Sequence, residues 1–334
     1  MGSELSESVT SLKNVTPAPI DGSEDELEES FVLTPEPQPR KYFGVPIFNR
    51  SNPDIYRTTN NFLGAIQKYS SYSFTGFLIL HSINVLVTPA INVDVAEETF
   101  MMARDIYQQE NVEKWLVFGS LIAHVASGLA IRVIRTVKNY FSRRNQAKNS
   151  KKNKSQFSQQ LAMEQQAKYN SQTQDYEITD ESVGLGGWFG AFKLGIRRSK
   201  IASLLGVTPV QLSGLLLVPV LGYHILKERI APLMIDGDSS LIKLGYVAHA
   251  FAKSNKLVSY LGFGSLIYLT LYHVVAGWMK YLKIYSQTQR RRGFLLVNGL
   301  TLLGMFSLSR IVSMGAEHGT VGKAYDAYMN YSPL

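Results

Sequence analysis

The residues with the most chemistry to offer are histidines set in apolar sequence. The chain has six histidines and no cysteine, which excludes disulfides, Cys-ligated zinc and thiol nucleophiles and leaves imidazole as the chief metal-ligand type. Four of the six, His81, His124, His224 and His273, lie in stretches with scarcely a charge. Their spacing repeats. His81 stands eight residues before Pro89 and His224 eight before Pro232, while His124 and His273 each open a His-x-x-x-Gly that closes on Gly128 or Gly277. Ionisable residues in membrane spans are costly and turn toward the bundle interior. Four imidazoles in that setting point to haem b held by bis-histidine ligation, with small residues such as Gly76, Gly128 and Gly277 admitting the porphyrin. The simpler alternative is a hydrogen bond from each ring to a carbonyl or hydroxyl on a neighbouring helix, a contact of about 1 kcal/mol in membranes. Counted from span ends at 1.5 Å per residue, His81 and His273 each lie roughly 12–14 Å from the cytosolic face, so they are the first to pair. His124 is then near mid-membrane and His224 nearer the far face, and like-with-like pairing across the repeat stays open. His249 and His318 fall outside the spans and take no role.

A second candidate site lies in the first forty residues, which are otherwise polar and acidic. Phe31, Val32, Leu33, Thr34, Pro35, Glu36, Pro37, Gln38 and Pro39 form an apolar and proline-rich island. Alternating prolines favour an extended polyproline conformation, so such a segment docks in a groove with little loss of chain entropy.

The elements that must position these residues are membrane helices. Five segments reach bilayer length, at 73–91, 115–135, about 207–226, 257–282 and 293–314, and each can cross about 30 Å of hydrocarbon. The expected fold is therefore an all-α integral membrane protein. It comprises two related two-helix hairpins and one C-terminal helix behind a disordered N-terminal tail. The expected divisions are a tail at 1–40, a first repeat at 41–140, a basic then Gln/Ser-rich cytosolic loop at 141–183, a second repeat at 184–285, and the fifth helix with its tail at 286–334. Residues 150–182 read as unstructured, and 183–196 as an interfacial helix anchored by Trp188 and Phe189. The repeat has further marks: Tyr42-Phe43-Gly44 answers Trp188-Phe189-Gly190, and Leu63-Gly64 answers Leu205-Gly206.

Charge sets the orientation. Residues 132–154 carry nine Lys or Arg without an acid, and the loop between spans four and five carries Lys280, Lys283 and Arg290 to Arg292, so both face the cytosol and so does the N-terminus. The net charge of +8 sits in clusters beside apolar runs, unlike the basic face of a folded nucleic-acid binder. No apolar signal segment follows Met1, and six acids between Asp21 and Glu29 argue against a mitochondrial presequence.

Together the tail peptide, the aromatic-Phe-Gly elements and the duplicated histidine hairpins resemble the fungal mitochondrial outer-membrane adaptor that recruits a chorein-type, bridge-like lipid-transfer protein. That resemblance implies a non-enzymatic tether at an organelle contact, supporting mitochondrial lipid homeostasis. It makes Leu33, Pro35 and Pro37 the docking residues, with Phe31 an upstream anchor and Pro39 an alternative register. The helices are also similar to the di-haem cytochrome b anchors of succinate dehydrogenase and fumarate reductase, which implies that His81, His124, His224 and His273 are axial-ligand counterparts. A bundle that redistributes lipid between leaflets is a further possibility permitted by its polar span residues.

Overall fold

A computed structural model describes residues 53–149, 168–170, 174–177, 181–187 and 200–333. The helical bundle belongs to the compact unit Arg57–Leu334. The docking peptide from Phe31 to Pro39, the element at Tyr42 and the element at Trp188 all lie outside the described residues.

Among the described residues five helical stretches are long and apolar enough to cross a membrane: Tyr56–Ile91, Val112–Lys138, Pro209–Asp236, Lys256–Tyr281 and Gln287–Val312. They form two hairpins and a further long helix. The first stretch is α1 (Pro53–Ser82), a π-turn at Ile83–Val87 and α2 (Thr88–Ile91). After α3 (Val93–Tyr107), a second π-turn at Val112–Gly119 leads into α4 (Ser120–Asn149). The second hairpin follows α5 (Lys200–Leu204). It opens with α6 (Pro209–Ile225), a π-turn at Leu226–Ile230 and α7 (Ala231–Asp236), and continues through α8 (Leu244–Lys253) into α9 (Lys256–Tyr281). The fifth span is α10 (Gln287–Val312), followed by α11 (Gly319–Asn330).

The His-to-Pro spacing has a structural cause. In each repeat the proline follows a π-turn, Pro89 after Ile83–Val87 and Pro232 after Leu226–Ile230. Proline lacks an N–H and its ring crowds the carbonyl one turn earlier, and widening that turn makes room without ending the helix. The Ile83 carbonyl accepts from the Thr88 backbone N–H and, at 3.0 Å, from the Thr88 hydroxyl. Both histidines therefore sit just before a widened turn.

Helix starts carry their own signals. Thr208 and Gln211 form a reciprocal capping box at the start of α6, and Asn92 and Asn255 accept backbone N–H groups at the starts of α3 and α9. Within the second hairpin α9 packs on α6, and α10 packs on α9 around Ala276, Phe294 and Val297. Span one meets α10 at Gly304, where a Cβ would stand 2.9 Å from Leu86 Cδ2. The Ser307 hydroxyl there donates to the Leu86 carbonyl at 2.6 Å. Large side chains such as Ile122, Leu261 and Leu302 point outward, where lipid covers them.

Three expectations are corrected. The first helix begins at Pro53, well before Ser73. Its polar early turns stay helical because their hydroxyls bond back to their own backbone, Ser70 to Ile66 and Thr75 to Ser71, both at 2.6 Å. The α4 helix runs on to Asn149, through much of the basic run, since no Gly or Pro after Gly128 interrupts it. The stretch expected to be unstructured contains an antiparallel pair, β1 (Lys168–Asn170) with β2 (Asp175–Glu177). That pair is tied to the α9–α10 turn, where Asp175 accepts from the Ser286 hydroxyl and from Thr288 N. The 183–196 segment is described only as far as residue 187, where Leu185 is buried against α9 and α10.

Candidate functional site

A cavity of about 920 Å³ runs between the two hairpins, and all four span histidines line it. The rings meet in two pairs. His124 and His273 have centroids 5.9 Å apart, and His81 and His224 have centroids 6.3 Å apart. Each histidine thus faces its own counterpart from the other repeat. The expected pairing of His81 with His273 is not formed. It rested on counting depth from Ser73, whereas α1 starts at Pro53 and carries His81 into the far half of the bundle, beside Phe100 and Tyr107 of α3.

The cytosol-proximal pair is held by the backbone. His124 Nδ1 lies 3.0 Å from the Gln67 carbonyl, and His273 Nδ1 lies 3.1 Å from the Val210 carbonyl, with Ser213 Oγ at 3.3 Å. The same residue offset that relates His81 to His224 relates Gln67 to Val210, so the two contacts are repeat equivalents. A carbonyl can only accept, which places the proton on Nδ1 and leaves Nε2 of each neutral ring with a lone pair. Gly214 permits this packing, because a Cβ there would come within 2.7 Å of His273 Cε1.

The far pair is built differently. His81 stacks on Phe77 with centroids 5.4 Å apart, and His224 meets the edge of Phe263. Among the described residues the buried His81 Nδ1 has no hydrogen-bond partner, a cost that a satisfied ligand would not carry.

The donor set suits a haem better than a bare ion. Rings on opposite sides of one metal, each nitrogen about 2 Å away, have centroids roughly 6 Å apart, and both pairs match that spacing. Among the described residues no three His, Cys, Asp or Glu converge to hold a bare ion. A lone imidazole pair suits a metal whose remaining positions a macrocycle fills. The proximal pair has the fixed tautomer and backbone support expected of axial ligands, and the far pair has the spacing without the support. Gly128 and Gly277 line the cavity, and beyond Gly277 a Cβ would meet nothing within 4 Å. Gly76 is exposed and is not part of the cavity wall.

Sequence reasoning missed the polar lock at the far end. Arg104 is 5% exposed and donates to the carbonyls of Ser239, Ser240 and Ile242. Arg229 makes a two-pronged contact with Glu113, both bonds 2.5 Å, which fastens span three to span two. Glu228, one turn beyond His224, lines the cavity beside them. The run Lys227-Glu228-Arg229 inside a hydrophobic stretch was the available signal, since charge at such a position needs a partner. Outside the spans, His249 is fully buried and its Nε2 lies 3.0 Å from Asp326 of α11. That hydrogen bond, the largest influence on it, holds the Asp326 carboxyl below its usual range.

A family model described as MDM10-complementing protein 1, transmembrane domain, matches residues 76–200 and 219–324. Among curated proteins, the mitochondrial adapter protein MCP1 of Saccharomyces cerevisiae is 26% identical over 279 residues, which cover 82% of this chain and 80% of that protein. No solved structure matches the chain at a significant level.

Proposed function

The chain belongs to the family of the MDM10-complementing protein 1 transmembrane domain and is a multi-pass membrane adaptor, and on that premise we propose that it anchors in the mitochondrial outer membrane and recruits a bridge-like lipid-transfer protein. The observation that carries this reading is the apolar, proline-bearing island from Phe31 to Pro39 within an acidic tail, on the side that loop charge assigns to the cytosol. A related chain bearing the description mitochondrial adapter supports the organelle. Leu33, Pro35 and Pro37 enter the partner's groove, with Phe31 as an upstream anchor and Pro39 offering a second register. The helix starts at Pro53, so 16 residues separate it from Pro37, and a chain of that length can reach at most about 53–58 Å. That suffices to hold the peptide clear of the headgroups. Replacing Pro35 and Pro37 by alanine should abolish mitochondrial recruitment of the chorein-type partner, scored by imaging and fractionation. Undiminished recruitment sinks the motif assignment.

A second reading is favoured by one observation, the matched Nδ1–carbonyl contacts of His124 and His273. In this reading the paired span histidines hold haem b, which when bound supplies one-electron chemistry. The protein's part is to fix ring orientation through Gln67 and Val210 and to keep water out with an apolar cavity wall. Protein purified after haem-replete expression should show a Soret band, and its absence removes this reading.

A further inference from the structure

The two histidine pairs differ in what surrounds them, and so do the two ends of the cavity. On α4, Gly128, Arg132 and Arg135 follow His124 by four, eight and eleven residues, which stacks them on one helix face about 6, 12 and 16 Å further toward the cytosol. On α9, Gly277 lies one turn beyond His273 in the same direction. All six line the cavity. The space on the cytosolic side of this pair is therefore lined by glycine from both helices. At Gly277 it is open, and at Gly128 only the end of the Gln67 side chain intrudes, 2.8 Å from where a Cβ would stand.

Beyond the glycines the wall turns cationic. Arg132 is half-buried and Arg135 exposed, and among the described residues no acid pairs with either. The neighbouring Lys280 is engaged by Glu181 at 2.9 Å. Among the described residues nothing comparable flanks the far pair. His81 has Phe77, Phe100 and Tyr107 against it, and the charges at that end are either committed, as Arg229 is to Glu113, or acidic, as Glu228 is.

Resting on the haem reading, we propose that the cavity takes one porphyrin between His124 and His273, with its carboxylate-bearing edge toward the cytosol on Arg132 and Arg135. A macrocycle between facing imidazoles must extend sideways between α4 and α9, and the two His-x-x-x-Gly motifs clear that path. Its carboxylates are costly to bury in apolar surroundings unless paired, and the cytosolic mouth offers two guanidiniums suited to them. The apolar edge then lies toward mid-membrane. The repeated glycine thereby acquires a role that helix packing does not give it, since a Cβ on Gly277 would touch nothing within 4 Å.

The test titrates haemin and its dimethyl ester, in which both carboxylates are masked, into full-length chain in vesicles, scoring only the six-coordinate bis-imidazole spectrum. One haemin should bind per chain, and the ester roughly tenfold more weakly. In the Arg132→Gln, Arg135→Gln double variant acid and ester should bind alike. Gly277→Leu should abolish binding while circular dichroism and gel filtration stay unchanged, and His124→Ala should remove the bis-imidazole signature. No binding at all overturns both this proposal and the haem reading. Binding in which wild type treats acid and ester equally, or takes two haemins, or survives Gly277→Leu, overturns this proposal and leaves the haem reading standing.

Discussion

Arg104 illustrates how single charges secure the far end of the bundle. Its guanidinium meets three backbone carbonyls of the segment after α7, so Arg104→Met leaves buried acceptors unpaired at a cost of about 2–3 kcal/mol, readable as a lower Tm in detergent. Lysine cannot replace it, because one ammonium does not reproduce the planar fork. Glu113 and Arg229 form the other clasp, with side chains 18% and 17% exposed. Arg229→Met should cost about 3 kcal/mol by stranding the carboxylate, and the swap Glu113→Arg with Arg229→Glu should restore part of it. The Asp326 carboxyl is depressed by its hydrogen bond to His249 and by Lys253 nearby. A depressed folded pKa contributes stability above the ordinary carboxylate range and loses it as pH falls through the folded value. Amide protection in α11 should therefore decline as pH is lowered below that range, and Asp326→Asn should flatten the dependence. None of these partners was legible in the sequence. Glu113 and Arg229 are far apart in the chain, and only folding shows which of several acids near Glu113 is used.

At the scale of elements, hydropathy located all five spans because about twenty apolar residues in a row leave few alternatives. Their edges were less visible. Ser70 and Ser71 look like loop residues, yet each hydroxyl bonds to its own helix backbone, and α1 starts at Pro53, twenty residues earlier than hydropathy indicates. That shift moved His81 to the far half and changed its partner. The duplication, by contrast, was legible in His81-Pro89 and His224-Pro232, and the π-turns explain why that spacing recurs. Where α10 crosses span one, Gly304 allows contact closer than any side chain would. Gly304→Leu should cost about 1–3 kcal/mol through overpacking, measured as a lower unfolding midpoint with helicity retained. Because the chain has no cysteine, single-cysteine variants report topology directly. Ser286→Cys, at the α9–α10 turn, should react with an impermeant reagent on intact mitochondria, and Ser254→Cys, between α8 and α9, only after the outer membrane is opened. The reverse pattern contradicts the orientation.

At the scale of the whole molecule, the bundle and the tail divide the work. Five spans, a far-side cap of α3, α8 and α11, and the clasp between hairpins make a firm anchor. In the proposed function the tail brings the Phe31–Pro39 peptide to a partner. Burial of apolar surface made the anchor readable, whereas the proposed docking peptide is nine residues whose role rests on a groove in another protein. The most direct test is flotation of vesicles carrying the full-length chain with purified chorein-type transfer protein. Partner should float with wild-type vesicles, remain at the bottom with the Pro35→Ala, Pro37→Ala variant, and be released by excess free peptide spanning Phe31 to Pro39. Equal flotation with wild type and variant, unmoved by the peptide, would contradict recruitment through this tail.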